Sequence, residues 1–427
     1  MEEIFDNIPE QPSYDVIVIG AGAAGMMAAG TAARNGSKVL LLEKMEKPAR
    51  KIRITGKGRC NLTNARGEEE FQQNIRTNYD FLRVAYSEFN NRATMRFFER
   101  MGVKLTTERG DRVFPESGKA ADIANALEFY CRDYDVEIRC HTRVSGIVTL
   151  GNKVLGVKYF NKRGFERRIE APNVIIATGG ISYPRTGSTG DGYIFADALG
   201  HTIEDVRPSL TALVTSHPQA QYINDVLLRN TTVRLVVDGE VVGEEFGEVH
   251  FSDRGIEGAA TLRLSRDAVD ALTEEKSVKL ELDLKPALDE EILRARISRE
   301  VAEMGPEEFF AELVRRLVPK PLVVPICKEL DVHSRLYISK VSDKEFERLI
   351  KVLKRWSFPI SDYASFDYAI VTAGGVNCSE VNEYTMESKL IKGLYFAGEV
   401  LDIDANTGGY NLQTAFSTGH LAGLLKK

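Results

Sequence analysis

Residues 14–43 read YDVIVIGAGAAGMMAAGTAARNGSKVLLLE, and their order of residue types decides the fold. A largely apolar run over residues 14–19 enters Gly20, Gly22 and Gly25 directly, and an Ala- and Met-rich stretch of helical character follows. This is strand, tight turn, helix. Gly20 permits the turn, Gly22 lets the backbone approach a pyrophosphate, and Gly25 lets the helix pack closely on the strand. The free N–H groups at the helix start then face an anion. A second apolar run, residues 38–42, ends at Glu43, about 20 residues after the glycines, where a carboxylate can accept both hydroxyls of an adenosine ribose. An acid there disfavours a 2′-phosphate. A lone glycine triplet suits any Gly-rich turn, whereas strand, glycines, helix, strand and terminal Glu in register specify a dinucleotide site.

Residues 393–423, GLYFAGEVLDIDANTGGYNLQTAFSTGHLAG, select the dinucleotide. A short apolar strand over residues 394–397 is followed at once by Gly398 and Glu399, the place where two-motif flavoproteins carry an acid that accepts a hydrogen bond from a ribityl chain. NAD has no ribityl chain, so the pair of segments reads as a split FAD site. Gly408 and Gly409 then precede Tyr410, Asn411, Leu412 and Gln413, with a helix expected over residues 413–425. Its positive end would face the flavin N1/O2 edge, where charge accumulates on reduction, a bias of about 0.3–2 kcal/mol that raises the reduction potential.

Composition bounds the rest. A chain of 427 residues exceeds what one core usually serves, so two or three domains are expected. Net charge of −6 offers no basic field for nucleic acid, so a small-molecule substrate and no nucleic-acid partner are expected. The acidic, polar start MEEIFDNIPEQPS does not resemble a signal peptide, and no apolar run reaches membrane-spanning length; a cytoplasmic protein is expected. Five cysteines without a C-x-x-C pair argue against a disulfide framework, a zinc ribbon or a dithiol reductase, and six histidines show no ligand spacing, so no metal is expected.

Along the chain, a flexible tail is expected over residues 1–13 and a first FAD-domain segment over 14–205. Within the latter, residues 80–101 read as one long helix with Asp80 as N-cap, 121–134 as another, 143–169 as β-rich, and 173–177 as a buried strand running into Thr178 and Gly179. An inserted β-rich module is expected over residues 206–285, with a hairpin turn at Asp238 and Gly239, then a helical part over 286–361. The FAD domain resumes over 362–427.

Two loops are unusually rich in functional groups. GKGRCNLTN (residues 56–64) packs glycines, cations, a thiol and amides into nine positions, and SYPRTGSTGDGY (182–193) joins glycines to hydroxyls and an acid. With RVFPESGKAADI (112–123), ATGGISYPRTGSTGDGY (177–193) and GEVLDIDANTGGYNLQTAFSTGHLAG (398–423), these strings make nearly the whole chain resemble the BaiN-type NAD(P)/FAD-dependent oxidoreductases, a family that includes aminoacetone oxidase-like flavoproteins. The resemblance implies a Rossmann-like FAD domain interrupted by a β-barrel-like piece and a small helical bundle. It further implies FAD contacts from Gly20, Gly22, Ala24, Gly25, Glu43, Lys44, Arg59, Cys60, Asn61, Thr63, Val144, Gly398, Glu399, Asn411, Leu412 and Gln413; Thr178 and Gly179 resemble the Ala-Thr-Gly return segment of many flavoproteins. Two stretches depart from the family pattern. FSDRGIEGAATL (251–262) stands where relatives tend to have Gly-x-Ser-Gly-Pro, and MEKPARK (45–51) lacks Leu-Gly-Arg-Lys but keeps the cations Arg50 and Lys51.

No residue declares itself the acid or base. Cys60, Tyr183, Arg185 and Asn406 are candidates for the flavin face because they lie in loops expected at strand ends, where α/β sheets bind ligands; an isolated Cys is more often a small buried hydrophobe. His201 and His420 adjoin the motifs but read equally well as structural. No second glycine fingerprint for a nicotinamide is evident. The reading favoured is an FAD-dependent oxidoreductase on which NAD(P)H docks transiently and a small unsaturated or carbonyl-conjugated molecule is reduced; the alternatives are an oxidase that takes an amine or hydroxy substrate at the expense of oxygen, and a non-catalytic flavin-binding redox sensor. The sequence leaves the oligomeric state undetermined.

Overall fold

The computed structural model describes residues 14–426 except 162 and 224; the tail expected over residues 1–13 lies outside the described residues. The chain divides into two compact units, Met1–Arg207 with Val371–Lys427, and Pro208–Ile370.

The first unit is built on a five-stranded parallel sheet in the order Leu394–Phe396, Asn173–Ile176, Val16–Ile19, Val39–Leu42, Glu137–Arg139. Val16–Ile19 and Val39–Leu42 are buried at every residue, as strands covered on both faces must be. Helix Ala23–Arg34 follows the first strand, and helix Tyr410–Gly423 packs on it at backbone range. A Cβ on Gly419 would strike the carbonyl oxygen of Ala24, and one on Gly423 that of Ala28. The C-terminal helix starts three residues earlier than its sequence suggests because Gly409, at φ +99°, turns the chain directly into its first turn.

The single helix expected over residues 80–101 is two, Tyr79–Glu88 and Asn91–Arg100. Asn90 interrupts it: its side chain accepts the Ala93 N–H at 3.0 Å and caps the second helix. Asp80 falls inside the first turn rather than capping it. The β-rich stretch is a three-stranded antiparallel layer, Arg143–Leu150, Lys153–Phe160 and Glu166–Glu170.

The second unit holds a closed six-stranded barrel of Leu213–Thr215, Gly255–Glu257, Glu240–Ser252, Val226–Val237, Val278–Asp283 and Trp356–Tyr363. Asp238 and Gly239, both at positive φ, form the two-residue hairpin turn between its longest strands. Helix Ala259–Thr273 begins within the stretch that departs from the family pattern. Helices Glu290–Glu303, Phe310–Leu317, Val323–Glu329 and Asp343–Arg355 complete the unit, the last opened by a reciprocal Ser342/Glu345 capping box. Strand Trp356–Tyr363 ends the stretch read as helical. Trp356, Phe358 and Ile360 are buried while Pro359 and Ser361 are exposed, a period of two that fits a barrel wall.

Candidate functional site

The site forms in the first unit, at the carboxyl ends of the parallel strands. Gly20, at φ +98°, carries the chain off its strand; a Cβ there would lie 2.6 Å from the Ala177 carbonyl oxygen, so Ala177 and Thr178 press directly on the turn. Gly179 continues that return segment at φ +73°. A Cβ on Gly25 would overlap the carbonyl oxygen of Gly20, which makes Gly25 a packing requirement. Gly22 differs. Its Cβ would meet nothing within 4 Å, so the chain keeps open space beside the helix N-terminus at Ala23 and Ala24.

Glu43 ends the second strand with its carboxylate fixed: Oε2 accepts the Ala21 N–H at 2.9 Å and Oε1 the Met45 N–H at 2.8 Å. Its carbonyl accepts the Thr142 N–H, which brings buried Val144 to the same edge. Lys44 turns aside to Thr189 and to Asp191, 2.8 Å away.

The C-terminal segment meets this turn. A Cβ on Gly398 would sit 2.7 Å from that of Ala24, and the Gly398 N–H donates to Thr418 Oγ1 at 2.9 Å. Glu399 collects three donors: Lys51 Nζ at 2.8 Å, Ser182 Oγ at 2.7 Å and the Thr372 N–H at 2.8 Å. Lys51 also reaches Ser182 Oγ at 2.6 Å, closing a tight polar cluster. Sequence reading singled out Glu399 but not Ser182 or Thr372 as its partners. Lys51 left a signal, since it survives as a cation inside a divergent stretch; Thr372 left none, being one hydroxyl residue in a strand.

The loop of residues 56–64 docks on the start of the C-terminal helix. Thr63 Oγ1 donates to Gln413 Oε1 at 2.7 Å, and Gln413 Nε2 donates to the Phe89 carbonyl at 2.9 Å and Ser417 Oγ at 3.0 Å, all buried. Asn64 donates to the Gly408 carbonyl at 3.1 Å. Asn411 clamps the preceding loop through the N–H and carbonyl of Ala405, and half-buried Leu412 shares its turn. Asn406 is held through its N–H by the Asn74 carbonyl at 2.8 Å.

The remaining candidates differ in their surroundings. Arg59 is exposed, paired with Glu108 and stacked over Phe114. Arg185 is exposed, and its carbonyl accepts from Arg50 at 2.9 Å. Tyr183 is half-buried in a left-handed turn at φ +51°, next to Ser182. Cys60 is fully buried, and burial pushes its thiol up to about 12 against a weaker opposing hydrogen bond with Thr55; a thiolate nucleophile is thereby disfavoured. His201 is buried between Glu380 and Ser388.

FAD fits these residues. Asn61 Oδ1 and Thr414 Oγ1 are buried without a hydrogen-bond partner, in the loop and helix implicated by sequence, and the open space at Gly22 lies where a pyrophosphate would run.

A parallel sheet, a glycine turn and a remote Gly-Glu segment packed on that turn define a Rossmann-type flavoprotein. Residues 14–425 match the family described as HI0933-like protein Rossmann domain, and the chain belongs to this family of FAD-dependent oxidoreductases. It is 33% identical to a 3-dehydro-bile acid delta(4,6)-reductase of Clostridium scindens over 95% of this chain and 97% of that protein. It is 29% identical to a ribosomal RNA dihydrouridine synthase of Haemophilus influenzae, over 96% and 97% respectively. A 3-ketosteroid delta1-dehydrogenase from Sterolibacterium denitrificans shares the fold at TM-score 0.52 and 14% identity, covering 97% of this chain and 99% of the other. Among the described residues, no helix is long and apolar enough to cross a membrane.

Proposed function

We propose that this protein is an FAD-dependent reductase that saturates a carbon–carbon double bond conjugated to a carbonyl in a small organic molecule, with NAD(P)H docking transiently as electron donor. The observation that carries the site is the Lys51–Ser182–Thr372 cluster on Glu399, packed against the glycine turn. The relatives' names supply the reaction class: a delta(4,6)-reductase of a 3-dehydro-bile acid and a dihydrouridine synthase both saturate a double bond adjacent to a carbonyl system.

When bound, FAD supplies hydride transfer at its N5. The Gly22 turn and the first N–H groups of helix Ala23–Arg34 take the pyrophosphate, and Glu43 accepts from the adenosine ribose beside Val144. Glu399 accepts from the ribityl chain. Asn61, Asn411, Leu412 and Gln413 border the flavin, with the Asn61 side-chain Oδ1 as a ready acceptor. Thr178 presses on the Gly20 turn and Gly179 continues its segment at positive φ. Tyr183 is the candidate for the proton delivered beside the carbonyl, because it is half-buried and directly follows Ser182, whose hydroxyl donates to Glu399. Lys44, Arg59, Arg185 and Asn406 hold loops.

A second reading replaces the small molecule with a uridine in RNA, and the full-length similarity to the dihydrouridine synthase supports it. Anaerobic mixing with NADH or NADPH tests the donor, and bleaching of the flavin band is expected. Peroxide production from aminoacetone without nicotinamide would instead establish an oxidase, and inertness to every donor a sensor. Supplying a 4,6-diene-3-keto steroid acid or a uridine-containing RNA to the reduced protein separates the two reductase readings by which one restores the oxidised spectrum.

A further inference from the structure

The chain carries a net −6, yet residues 315–355 hold eleven Lys or Arg against five Asp or Glu. Part of this excess is ordered on helix Asp343–Arg355. Lys344, Arg348, Lys351 and Arg355 are all exposed, and their spacing of four, three and four residues lines them along one face. Among the described residues, none of the four has a carboxylate within ion-pair distance; Arg348 instead reaches the Glu329 carbonyl at 3.4 Å, next to exposed Lys328. Of the two exposed acids on the helix, Asp343 lies in its first turn and Glu347 is bound by Arg294 through two hydrogen bonds of 2.9 and 2.7 Å. The apolar face of the same helix, Leu349, Ile350 and Leu353, is buried in the unit.

We propose that this cationic stripe docks the phosphate backbone of RNA. A solvated helix face commonly pairs acids with bases at i,i+4; here Glu345 and Glu347 feel the charges of Arg348 and Lys351, but Glu345 is bonded to Ser342 and Glu347 to Arg294, and the four cations line one face without a direct ion pair. From Lys344 to Arg355 the helix runs about 16 Å, enough for about four or five phosphates of one strand at ~3.4 Å of rise each. A membrane surface fits less well, because an interfacial helix needs a free apolar face and this one has spent its own on the core. The inference rests on the RNA reading given above. It assigns the docking to the second unit alone, by charge that the whole-chain net value conceals.

The test uses the FAD-loaded full chain and a fluorescein-labelled stem-loop RNA with a uridine-rich loop, titrated by anisotropy across a salt series. A log–log salt slope near −3 is expected, from about 0.7 per neutralised phosphate at four contacts. The variant Lys344→Gln/Arg348→Gln/Lys351→Gln/Arg355→Gln should keep its circular dichroism and flavin band while losing most of that slope and at least tenfold in affinity at low salt. Equal RNA binding by this folded variant overturns the docking surface. So does wild-type binding to phosphatidylglycerol vesicles or polyglutamate with no binding to RNA. Dihydrouridine formation, assayed separately on the same RNA, distinguishes the failures: formation without dependence on the stripe removes this surface and keeps the uridine reading, and absence of both binding and formation removes both.

Discussion

Lys51 Nζ lies 2.8 Å from a carboxylate oxygen of Glu399, a residue 348 positions further along the chain. The pair is part-buried, with about a fifth of each side chain accessible, and Ser182 bridges it by accepting from Lys51 and donating to Glu399. A divergent loop after the second strand is thereby tied to the segment that identifies the cofactor. Charge-assisted hydrogen bonds at this burial exceed the worth of surface ion pairs. Lys51→Met should cost about 1–2 kcal/mol in FAD binding, a five- to thirtyfold rise in Kd. Lys51→Arg should recover part of it. Flavin fluorescence titration of the refilled apoprotein reads both; a Kd unchanged in Lys51→Met would remove the residue from the site.

Two glycines three residues apart should fail in different ways. Gly22 has nothing within 4 Å of its would-be Cβ, so Gly22→Val should fold and emerge colourless because the side chain occupies the pyrophosphate space. Gly25 has a backbone oxygen in that position, so Gly25→Val forces the helix off the strand and should yield insoluble or melted protein, in keeping with overpacking costs above about 3 kcal/mol. Circular dichroism and flavin absorbance on the two variants make the distinction. A yellow Gly22→Val protein would contradict the placement of the cofactor.

The fold was readable where one short window held every determinant. Strand, glycines, helix and Glu43 are contiguous, and the structure keeps their order. The C-terminal segment was readable for the same reason, except that the positive φ of Gly409 starts its helix three residues earlier than the residue pattern indicates. What escaped was decided by distant partners. Thr372 contributes a backbone N–H to Glu399, which no side-chain pattern can announce. Arg59 was drawn off by Glu108 and the face of Phe114, neither of them near it in sequence. The break at Asn90 was locally visible as a capping residue, but the helical periodicity on both sides masked it.

Cys60 is the most reactive residue type in the flavin-side loop and should be inert. Its thiol is buried, pushed up to about 12 by burial, and sits on a backbone at φ +59°. Cys60→Ala should retain flavin occupancy and turnover within about twofold, and lose about 1 kcal/mol of stability from the vacated volume. In the native protein, Ellman's reagent at pH 8 should leave this thiol unmodified until denaturant is added. Rapid labelling of Cys60 in the folded state, with loss of activity, would restore it as a catalytic candidate.

His420 makes the fold sensitive to acid. It lies on the C-terminal helix, 3.3 Å from Thr31 Oγ1 of the N-terminal helix and stacked on Phe89 at 4.5 Å, so it belongs to the interface that joins the two cofactor segments. Burial first, and the nearby charge of Arg34 second, lower its pKa from 6.5 to about 4. The folded state therefore binds its proton less readily than the unfolded chain. Between about pH 6.5 and 4 the unfolded chain holds the extra proton, so stability is full above pH 6.5 and falls as pH drops through that window. The loss from this one group reaches at most about 3 kcal/mol, at ~1.4 kcal/mol per pH unit. Buried His201, also lowered mainly by burial, adds a decline of the same sign. Urea denaturation at pH 7 and pH 5 should show a stability difference that shrinks in His420→Gln, and flavin release on acidification should shift to lower pH in that variant. An identical pH dependence in wild type and His420→Gln would mean that protonation of this ring plays no part in holding the two segments together.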